Sequence, residues 1–364
     1  VRKTSNVREL EDLGVTLVMG DVTDKDSLLE GMRGCDWVIN LANIYSFWEP
    51  NKQAFTDVNV EGTRNVMEAA LETGVAKVVH VSTVVTYGKP ADCPFTEECS
   101  VGPVRFSEYA RTKYEGDLIA WELYEKKGLP LVMIYPSGVL GPGDPKASGQ
   151  YIQNLVHRRM PATVFHDVIL TWVHVQDVAE AILRAAEKED NIGEKYFVCK
   201  HQLSFREINE MISEISGVPL PKMHLPDSLA MANAALLTRL ADLIKKPPML
   251  GMSTDQMRTM KEGFKADGSK AERELGITYT PIRVALEEAS TECGSRKRVF
   301  SFTGEHRKRL REEKPACGCG NASFLVGECE RIEGDEGVMG FFDEGVVVGK
   351  CSHCGRNRAL VHTD

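Results

Sequence analysis

A tyrosine and a lysine four positions apart, Tyr109 and Lys113, are the residues of this sequence best suited to moving a proton. The surrounding segment is predicted to be helical, and residues four apart on a helix share one face. A lysine ammonium at about 4 Å favours a phenolate by roughly 4 kcal/mol at an effective dielectric constant of about 20. The lysine should therefore lower the pKa of the phenol, so that the tyrosine could both donate and accept a proton. The spacing alone is weak evidence, because it also occurs on many solvated helix faces.

Two hydroxyl side chains, Ser82 and Thr83, precede this pair along the chain. They directly follow an apolar run, residues 77–81, that is predicted to be a strand. In open α/β sheets, ligands bind outside the carboxyl ends of the strands. A hydroxyl there could hydrogen-bond a substrate carbonyl or alcohol oxygen while the tyrosine moves its proton.

Short apolar runs alternate with helical patterns through residues 7–289. The predicted strands are residues 15–19, 37–41, 77–81 and 131–135, and the predicted helices include 25–32, 59–73, 109–127, 205–215 and 229–244. Apolar strands between helices indicate a parallel sheet covered on both faces, so the predicted fold class is doubly wound α/β. The expected divisions are a Rossmann-like domain at 1–150, a mostly helical lobe at 151–290 with some elements returning to the core, a basic linker at 291–315 and a cysteine-rich tail at 316–364.

The composition excludes some classes of protein. The chain has 364 residues, 42% of them hydrophobic, and a formal net charge of −9. This charge argues against a general nucleic-acid binder, because neutralising phosphates requires a basic surface. No apolar run reaches the ~18 residues that a membrane span needs, and no signal peptide is visible. The first residue is Val1, so the native N-terminus is expected to be missing, and a cytoplasmic or an organellar location stays open.

Several motifs together resemble the extended short-chain dehydrogenase/reductase family, within the NAD-dependent epimerase/dehydratase superfamily. They occur in the family's order and approximate spacing, at residues 21–24, 39–42, 59–63, 82–83, 87–88, 109–113 and 136–143. The resemblance covers residues 1–290. Segments 58–66 and 172–179 most resemble dihydroflavonol reductase-like proteins, a branch that also holds 3β-hydroxysteroid dehydrogenases and hopanoid-associated sugar epimerases.

The resemblance implies a role for each matching residue. Tyr109 would be the general acid/base, and Lys113 would lower its pKa and hold the nicotinamide ribose. Thr83 would orient the substrate oxygen, with Ser82 as the less suited neighbour, and Asn59 would support the site. The other implied cofactor contacts are Asp21 and Val22 at the adenine, Leu41 and Ala42 along the phosphate–ribose stretch, and Pro136, Ser137 and Val139 at the nicotinamide.

Arg2 and Lys3 bear on the choice of cofactor. At the end of the second strand of such a sheet, an acidic residue binds the ribose hydroxyls of NAD, whereas a cation accommodates the 2′-phosphate of NADP. Arg2 therefore favours NADP over NAD, with a solvated charge near a terminus as the alternative.

Four further residues admit both a functional and a structural explanation. His174 and Asp177 lie where a strand gives way to a helix predicted at 178–186, and Asp177 is a natural N-cap. A structural role is therefore favoured for both. Phe47 and Trp48 follow a predicted strand and would either contact an apolar substrate or simply pack.

The sequence departs from the family at its beginning. The family's first strand and glycine-rich turn, which places a pyrophosphate at a helix N-terminus, should precede Arg2 and are absent. Because that strand is central in the sheet, its loss should leave a gap between its neighbours. The expectation is a truncated form of an active enzyme that binds dinucleotide poorly.

The tail carries a cysteine pattern that is foreign to the family. The pairs Cys317–Cys319 and Cys351–Cys354 resemble the two knuckles of a zinc ribbon, although the first is Cys-x-Cys. The Gly- and Val-rich region around residues 345–349 suits short antiparallel strands. A structural zinc site is expected here, with free or redox-active thiols as the alternative.

The leading hypothesis is an NADP-dependent oxidoreductase acting on a carbonyl or secondary alcohol of an apolar small molecule. One alternative is a nucleotide-sugar epimerase or dehydratase. Another is a non-catalytic scaffold or partner-binding protein of the same fold. The expected partner is a small-molecule substrate, and a homodimer stays open.

Overall fold

The computed structural model of the chain describes residues 1–2, 5, 7, 10, 15–294, 344–350 and 357–363. The strands are β1 Thr16–Leu17, β2 Trp37–Asn40, β3 Lys77–Val81, β4 Leu131–Pro136, β5 Gly138–Leu140, β6 Ala162–Thr163, β7 Ile169–His174, β8 Lys195–Val198, β9 His201–Ser204, β10 Met223–His224, β11 Glu344–Lys350 and β12 Asn357–Thr363.

The helices alternate with these strands, as the sequence predicts. They are α1 Lys25–Met32, α2 Gln53–Phe55, α3 Thr63–Thr73, α4 Glu108–Lys127, α5 Ala147–Val156, α6 Val175–Glu187, α7 Phe205–Ser216, α8 Asp227–Ile244, α9 Thr254–Glu262, α10 Ser269–Leu275 and α11 Ile282–Gly294. A π-helical segment, Thr56–Gly62, joins α2 to α3, and short 3₁₀ turns lie at Val84–Tyr87 and Met249–Gly251. No helix in the described part of the chain is both long and apolar enough to span a membrane.

Four parallel strands, β2, β3, β4 and β8, form the centre of the main sheet. Their register places Val38 opposite Val78 and Val79 opposite Val132. Every residue of β4 is buried, because helices cover both faces of the sheet. The predicted fold class, a doubly wound α/β sheet, is confirmed.

Two strands from the end of the chain complete the same sheet. The strand order is β1-β12-β11-β2-β3-β4-β8. β11 is antiparallel to β2, with Val347 opposite Asn40, and β12 is antiparallel to β11 and parallel to β1. The antiparallel strands predicted around residues 345–349 are present. The gap predicted between β1 and its neighbour is not observed, because these two strands occupy it.

Two clusters of buried apolar side chains lie on the two faces of the sheet. Leu28, Met67 and Ala120 of α1, α3 and α4 belong to one cluster. Ile182 and Leu275 of α6 and α10 belong to the other. Helix α4, which carries Tyr109, is therefore held on the sheet by its packing in the first of these clusters.

A third cluster of buried residues, between Leu140 and Ala289, forms the core of a second group of elements. Here β5, β7 and β9 form a three-stranded sheet, and β6 pairs with β10. Strand β8, between β7 and β9 in the chain, pairs instead with β4 in the main sheet. The domain limits given above stay predictions.

One predicted helix cap, at Ser204, is confirmed, and another, at Asp177, is wrong. Ser204 caps α7 in a capping box with Glu207, as predicted for the start of that helix. The prediction that Asp177 caps α6 is wrong, because the helix begins at Val175 and His174 caps it. The Asp177 carboxylate instead accepts hydrogen bonds from the backbone N and the Oγ1 of Thr280, at 2.8 and 2.7 Å.

Candidate active site

Helix α4 is fixed at its N-terminus by two acceptors. Ser107 is the N-cap, and its Oγ accepts a hydrogen bond from the N of Ala110 at 3.2 Å. Asp255 Oδ2, from α9, accepts one from the N of Glu108 at 2.8 Å. These contacts determine where the first two turns of the helix lie.

Tyr109 and Lys113 are both buried on this helix, at 7% and 2% exposure. Lys113 Nζ donates a hydrogen bond to the carbonyl oxygen of Val81, the last residue of β3, at 2.9 Å. The pair therefore lies at the carboxyl end of a central parallel strand, where open α/β sheets bind their ligands.

Asn59 lies within the π-helical segment and hydrogen-bonds to two other elements, α4 and the loop after β2. Its Nδ2 donates to Thr112 Oγ1 at 3.0 Å, and its Oδ1 accepts from the N of Ile44 at 2.7 Å. This close packing requires Gly116, because a Cβ there would lie 2.5 Å from the Asn59 carbonyl oxygen. Asn59 thus joins α4 to the loop that follows β2.

The two hydroxyls after β3 have different partners. Ser82 Oγ donates to Asp117 Oδ2 at 2.7 Å, within the buried interior. Thr83 Oγ1 accepts from the N of Val85 at 3.5 Å, at the start of the 3₁₀ turn. Accepting that bond leaves the Thr83 hydroxyl proton available for another acceptor. The arrangement favours Thr83 over Ser82 as the group that contacts a substrate oxygen.

A buried polar network behind Lys113 was missed by the sequence reasoning. Asp117 is 3% exposed, and its Oδ1 lies 3.6 Å from His80 Nε2. His80 Nδ1 lies 3.0 Å from Asn40 Nδ2. Burial, and then the Lys113 charge, lower the pKa of His80, while Asp117 acts in the opposite direction. Asp117 follows Lys113 by about one helical turn, so an acidic and a basic side chain are buried on the same face of α4.

The sequence did contain a signal for this network. Tyr109, Lys113 and Asp117 recur every four residues, which places all three on one helix face. His80 and Ser82 were harder to find, since they flank the end of a strand that is otherwise apolar.

Aromatic side chains surround the exposed side of Tyr109. The ring centroids of Tyr45 and Phe47 lie 5.1 and 6.2 Å from that of Tyr109, both edge-on. Trp48 Nε1 donates to Asp242 Oδ1 of α8 at 2.9 Å. These aromatic residues line a cavity of about 40 Å³, together with Gln150, Pro247, Pro248, Gly251 and Gln256 among others. Phe47 and Trp48 therefore border this cavity, and Tyr45 and Phe47 separate it from the ring of Tyr109, which does not line it.

The residues matched to the phosphate–ribose stretch and to the nicotinamide lie at or just beyond the carboxyl ends of β2 and β4. Leu41 and Ala42 directly follow β2, Pro136 ends β4, Ser137 follows it, and Val139 lies in β5. Ser137 is 8% exposed, and its Oγ has no hydrogen-bond partner among the described residues. A buried hydroxyl without a partner is costly, so it suits a site that a ligand completes.

Asp21, Val22 and Arg2 lie near the end of β1. Arg2 Nη1 is 3.9 Å from Asp21 Oδ2. Val22 is buried at 1% exposure against Gly62, where a Cβ would lie 2.8 Å from Val22 Cγ2. Its side chain therefore packs into the core rather than into the crevice.

The remaining predicted site residues, Lys3, Cys317, Cys319, Cys351 and Cys354, lie outside the described residues. Within the described part of the chain, no group of His, Cys, Asp and Glu side chains could hold a metal ion. The zinc site stays a prediction.

The residues present fit the nicotinamide end of a dinucleotide. Lys113 and Thr83 lie at the end of β3, and Ser137 lies at the end of the adjacent β4. The unpartnered buried Oγ of Ser137 is the observation that favours a polar ligand here. Lys113, Ser137 and the wall of Pro136 and Val139 are the residues that would hold it.

Comparison with known proteins identifies the family. Residues 1–199 match the model of the NAD dependent epimerase/dehydratase family. The chain belongs to this family, which confirms the resemblance inferred from the motifs.

Individual relatives share most of the chain. A proposed dihydroflavonol 4-reductase from Synechocystis sp. is 30% identical over 79% of this chain and 84% of its own length. Sterol demethylase protein B from Methylococcus capsulatus is 30% identical over 79% of this chain and 88% of its own. The structure of UDP-glucuronic acid 4-epimerase from Bacillus cereus in complex with NAD superposes with a TM-score of 0.61 at 23% identity, covering 80% of this chain and 85% of the epimerase. That last likeness shows the shared fold.

Proposed function

We propose that the chain is an NADP-dependent oxidoreductase that acts on a carbonyl or secondary alcohol of an apolar small molecule. The observation that carries the proposal is the buried Tyr109–Lys113 pair at the end of β3, beside the rings of Tyr45 and Phe47. A proton-transfer pair next to an apolar wall suits a substrate whose reacting oxygen is attached to a hydrocarbon body.

The chain's own residues account for the proton transfer. In the direction of reduction, Tyr109 gives its hydroxyl proton to the substrate oxygen, and in oxidation it takes the proton back. Lys113 stabilises the phenolate electrostatically, and the Val81 carbonyl fixes the position of its ammonium. Thr83 donates its hydroxyl proton to the same substrate oxygen. A bound nicotinamide would supply or accept the hydride.

The substrate class is argued from the wall of the cavity and from the relatives. Tyr45, Phe47 and Trp48 present aromatic surface, and Pro247 and Pro248 add aliphatic surface. Lys146, Gln150 and Gln256 supply polar groups in the same wall. The names of two relatives refer to a dihydroflavonol and to a sterol, both ring compounds bearing an oxygen function. A fused- or multi-ring ketone or alcohol is therefore the substrate class that we propose.

The preference for NADP rests on Arg2. A guanidinium near the end of β1 can pair with the 2′-phosphate of NADP, whereas NAD offers a neutral hydroxyl there. The Arg2 guanidinium lies near the Asp21 carboxylate, which would hold it in place without removing its charge.

A nucleotide-sugar epimerase is the second candidate. The matching family model and the Bacillus cereus epimerase favour it, since both concern enzymes of this fold with NAD. The aromatic wall beside Tyr109 argues for the first candidate, because a nucleotide sugar is polar over most of its surface.

The two candidates are distinguished by assaying the purified protein in two ways. Consumption of NADPH is measured by the loss of its absorbance with a panel of ring ketones, and conversion of nucleotide sugars is measured by chromatography. A reductase consumes NADPH in preference to NADH and carries no cofactor through purification. Sugar conversion with a retained cofactor would instead establish the epimerase, and the absence of both activities would favour the scaffold.

A further inference from the structure

Helix α8 has its small side chains inside and its large apolar side chains outside. The residues that it buries are Ala230, Ala234 and Ala241, at 0, 0 and 2% exposure. The residues that it exposes are Leu229 at 55%, Leu236 at 65%, Leu240 at 50%, Leu243 at 80% and Ile244 at 51%. An amphipathic helix on the surface of a water-soluble domain normally has the opposite arrangement.

The spacing of these leucines makes them one surface. Leu229, Leu236, Leu240 and Leu243 are separated by seven, four and three positions, so they follow one stripe along the helix. Met249, at 67% exposure, extends the apolar surface just beyond the end of the helix. We call this surface the leucine face. A contiguous exposed apolar surface of this kind marks a place where the protein meets something apolar.

Basic residues flank the leucine face. Arg239, Lys245 and Lys246 lie in and after its last two turns, and Lys222 lies shortly before the helix; all four are exposed. Within the described part of the chain, none of them forms an ion pair. The acidic residues of the helix are Asp227, in its first turn, and Asp242, which accepts the hydrogen bond of Trp48 Nε1. The end of the face near Lys245 is therefore positively charged, although the whole chain is negative.

We propose that the leucine face docks on an anionic lipid bilayer, with α8 lying in the plane of the interface. An interfacial helix inserts an apolar face into the headgroup region and places basic side chains against anionic headgroups, and α8 has both features. A bilayer needs no complementary surface, whereas a stable protein interface takes about 20–30 residues from each partner. The charge at the end of the face selects an anionic bilayer over a neutral partner.

The helix that carries the leucine face is bonded to the wall of the cavity in the candidate site. Trp48, which lines the cavity together with Tyr45 and Phe47, is bonded to Asp242 in the last turn of α8. Pro247 and Pro248 continue from the helix into the cavity wall. A lipid-dissolved substrate would reach the cavity from the bilayer without crossing bulk water. This consequence rests on the proposed function, whereas the docking itself does not.

The test is vesicle flotation of the full chain, with no substrate or cofactor. Vesicles of phosphatidylcholine alone are compared with vesicles that also contain phosphatidylserine. The wild type is expected to float with the anionic vesicles and to be released by added salt, because exposed charges are screened. Leu236→Ser with Leu240→Ser should weaken that binding by about tenfold or more for each leucine. Lys245→Glu with Lys246→Glu should abolish the preference for anionic vesicles.

Leu118→Ser is the matched control, since Leu118 on α4 is as exposed as Leu240, at 50%. This variant should float like the wild type. The proposal is overturned if the wild type binds neither kind of vesicle, or if the double leucine variant still binds as tightly. It is equally overturned if the wild type is a dimer in sedimentation that the double leucine variant converts to a monomer without any vesicle binding, since a second copy then covers the face. Vesicle binding by a protein without reductase activity would support the docking and reject the proposed function, so the two failures are distinguishable.

Discussion

Single side chains around Lys113 explain how an ammonium can be kept in the interior. The Val81 carbonyl accepts its hydrogen bond at 2.9 Å, and the Asp117 carboxylate lies one turn further along the same helix face. Asp117 is itself bonded to Ser82 at 2.7 Å and lies close to His80. Lys113 is thus part of a buried group of polar atoms contributed by β3 and α4.

His80 should make the stability of the protein depend on pH. Burial and the Lys113 charge lower the pKa of His80 in the folded state, so the folded protein binds this proton less readily than the unfolded chain does. In the unfolded chain it binds a proton as the pH falls through about 6.5. The unfolded state then holds the extra proton, and the free energy of unfolding falls on acidification.

The corresponding experiment compares the wild type with His80→Gln in urea unfolding between about pH 7.5 and pH 5.5. The wild type should lose stability faster below about pH 6.5, by up to roughly 1.4 kcal/mol per pH unit more than the variant. Equal pH dependence of the two proteins would show that His80 does not titrate on unfolding.

At the scale of the elements, the site depends on the distance between two helices. The segment from Thr56 to Gly62 and helix α4 approach closely at Gly116, and this approach permits the contact of Asn59 with Thr112. A π-helical turn at that point changes the phase of the helix and directs Asn59 towards α4.

Substituting Gly116→Ala should therefore reduce both stability and activity. The new Cβ would meet the Asn59 carbonyl at 2.5 Å, and relief of this overlap by backbone movement costs about 1–3 kcal/mol. Movement of α4 would displace Tyr109 and Lys113, so turnover should fall together with the urea midpoint.

Gly128→Ala, at the C-terminus of the same helix, is the matched control. Gly128 has φ of +71°, and no described residue beyond its neighbours in the chain comes within 4 Å of its ideal Cβ position. Alanine there costs about 1–2 kcal/mol through the left-handed backbone alone. Turnover per folded molecule should be unchanged; a loss as large as that of Gly116→Ala would mean that global stability, not helix spacing, limits activity.

At the scale of the whole molecule, the sheet brings together segments from both ends of the described chain. β11 and β12 lie between β1 and β2, so residues 344–350 and 357–363 are neighbours in the sheet of residues 16–17 and 37–40. Local periodicity, with caps such as Ser204 and Asp24, predicted strands β1 to β4 and six of the helices, but not the central strand β8. It could not predict the pairing of β11 with β2, because strand pairing between distant segments leaves no local pattern.

The candidate site likewise combines residues that sequence patterns predict with residues that they do not. The pair Tyr109–Lys113, together with Thr83 and Asn59, could be found from spacing and motif order. The structure places the pair on α4, Thr83 just after β3, and Asn59 in the π-helical segment, bonded to Thr112 of α4. The support from Asp117 and His80 was harder to find. Asp117 continues the four-residue spacing of the pair, but a lone carboxylate on a helix most often faces solvent, and His80 lies in an otherwise apolar strand. The cap prediction for Asp177 failed because an aspartate at a predicted helix start suits a cap. Its actual contact, with Thr280, is distant in the sequence and leaves no local pattern.

The most direct test of the account is the turnover of Tyr109→Phe with NADPH and a ring ketone accepted by the wild type. The substitution removes one hydroxyl from a ring held by Tyr45 and Phe47, so the fold and the affinity for NADPH should be retained. Tyr114→Phe is the control, because Tyr114 lies on the same helix and packs instead under Arg105, 3.9 Å from its ring centroid. The account predicts that kcat/KM falls by about 10²–10⁴-fold in Tyr109→Phe and stays near the wild-type value in Tyr114→Phe. A Tyr109→Phe enzyme that keeps wild-type turnover would contradict the assignment of Tyr109 as the proton donor.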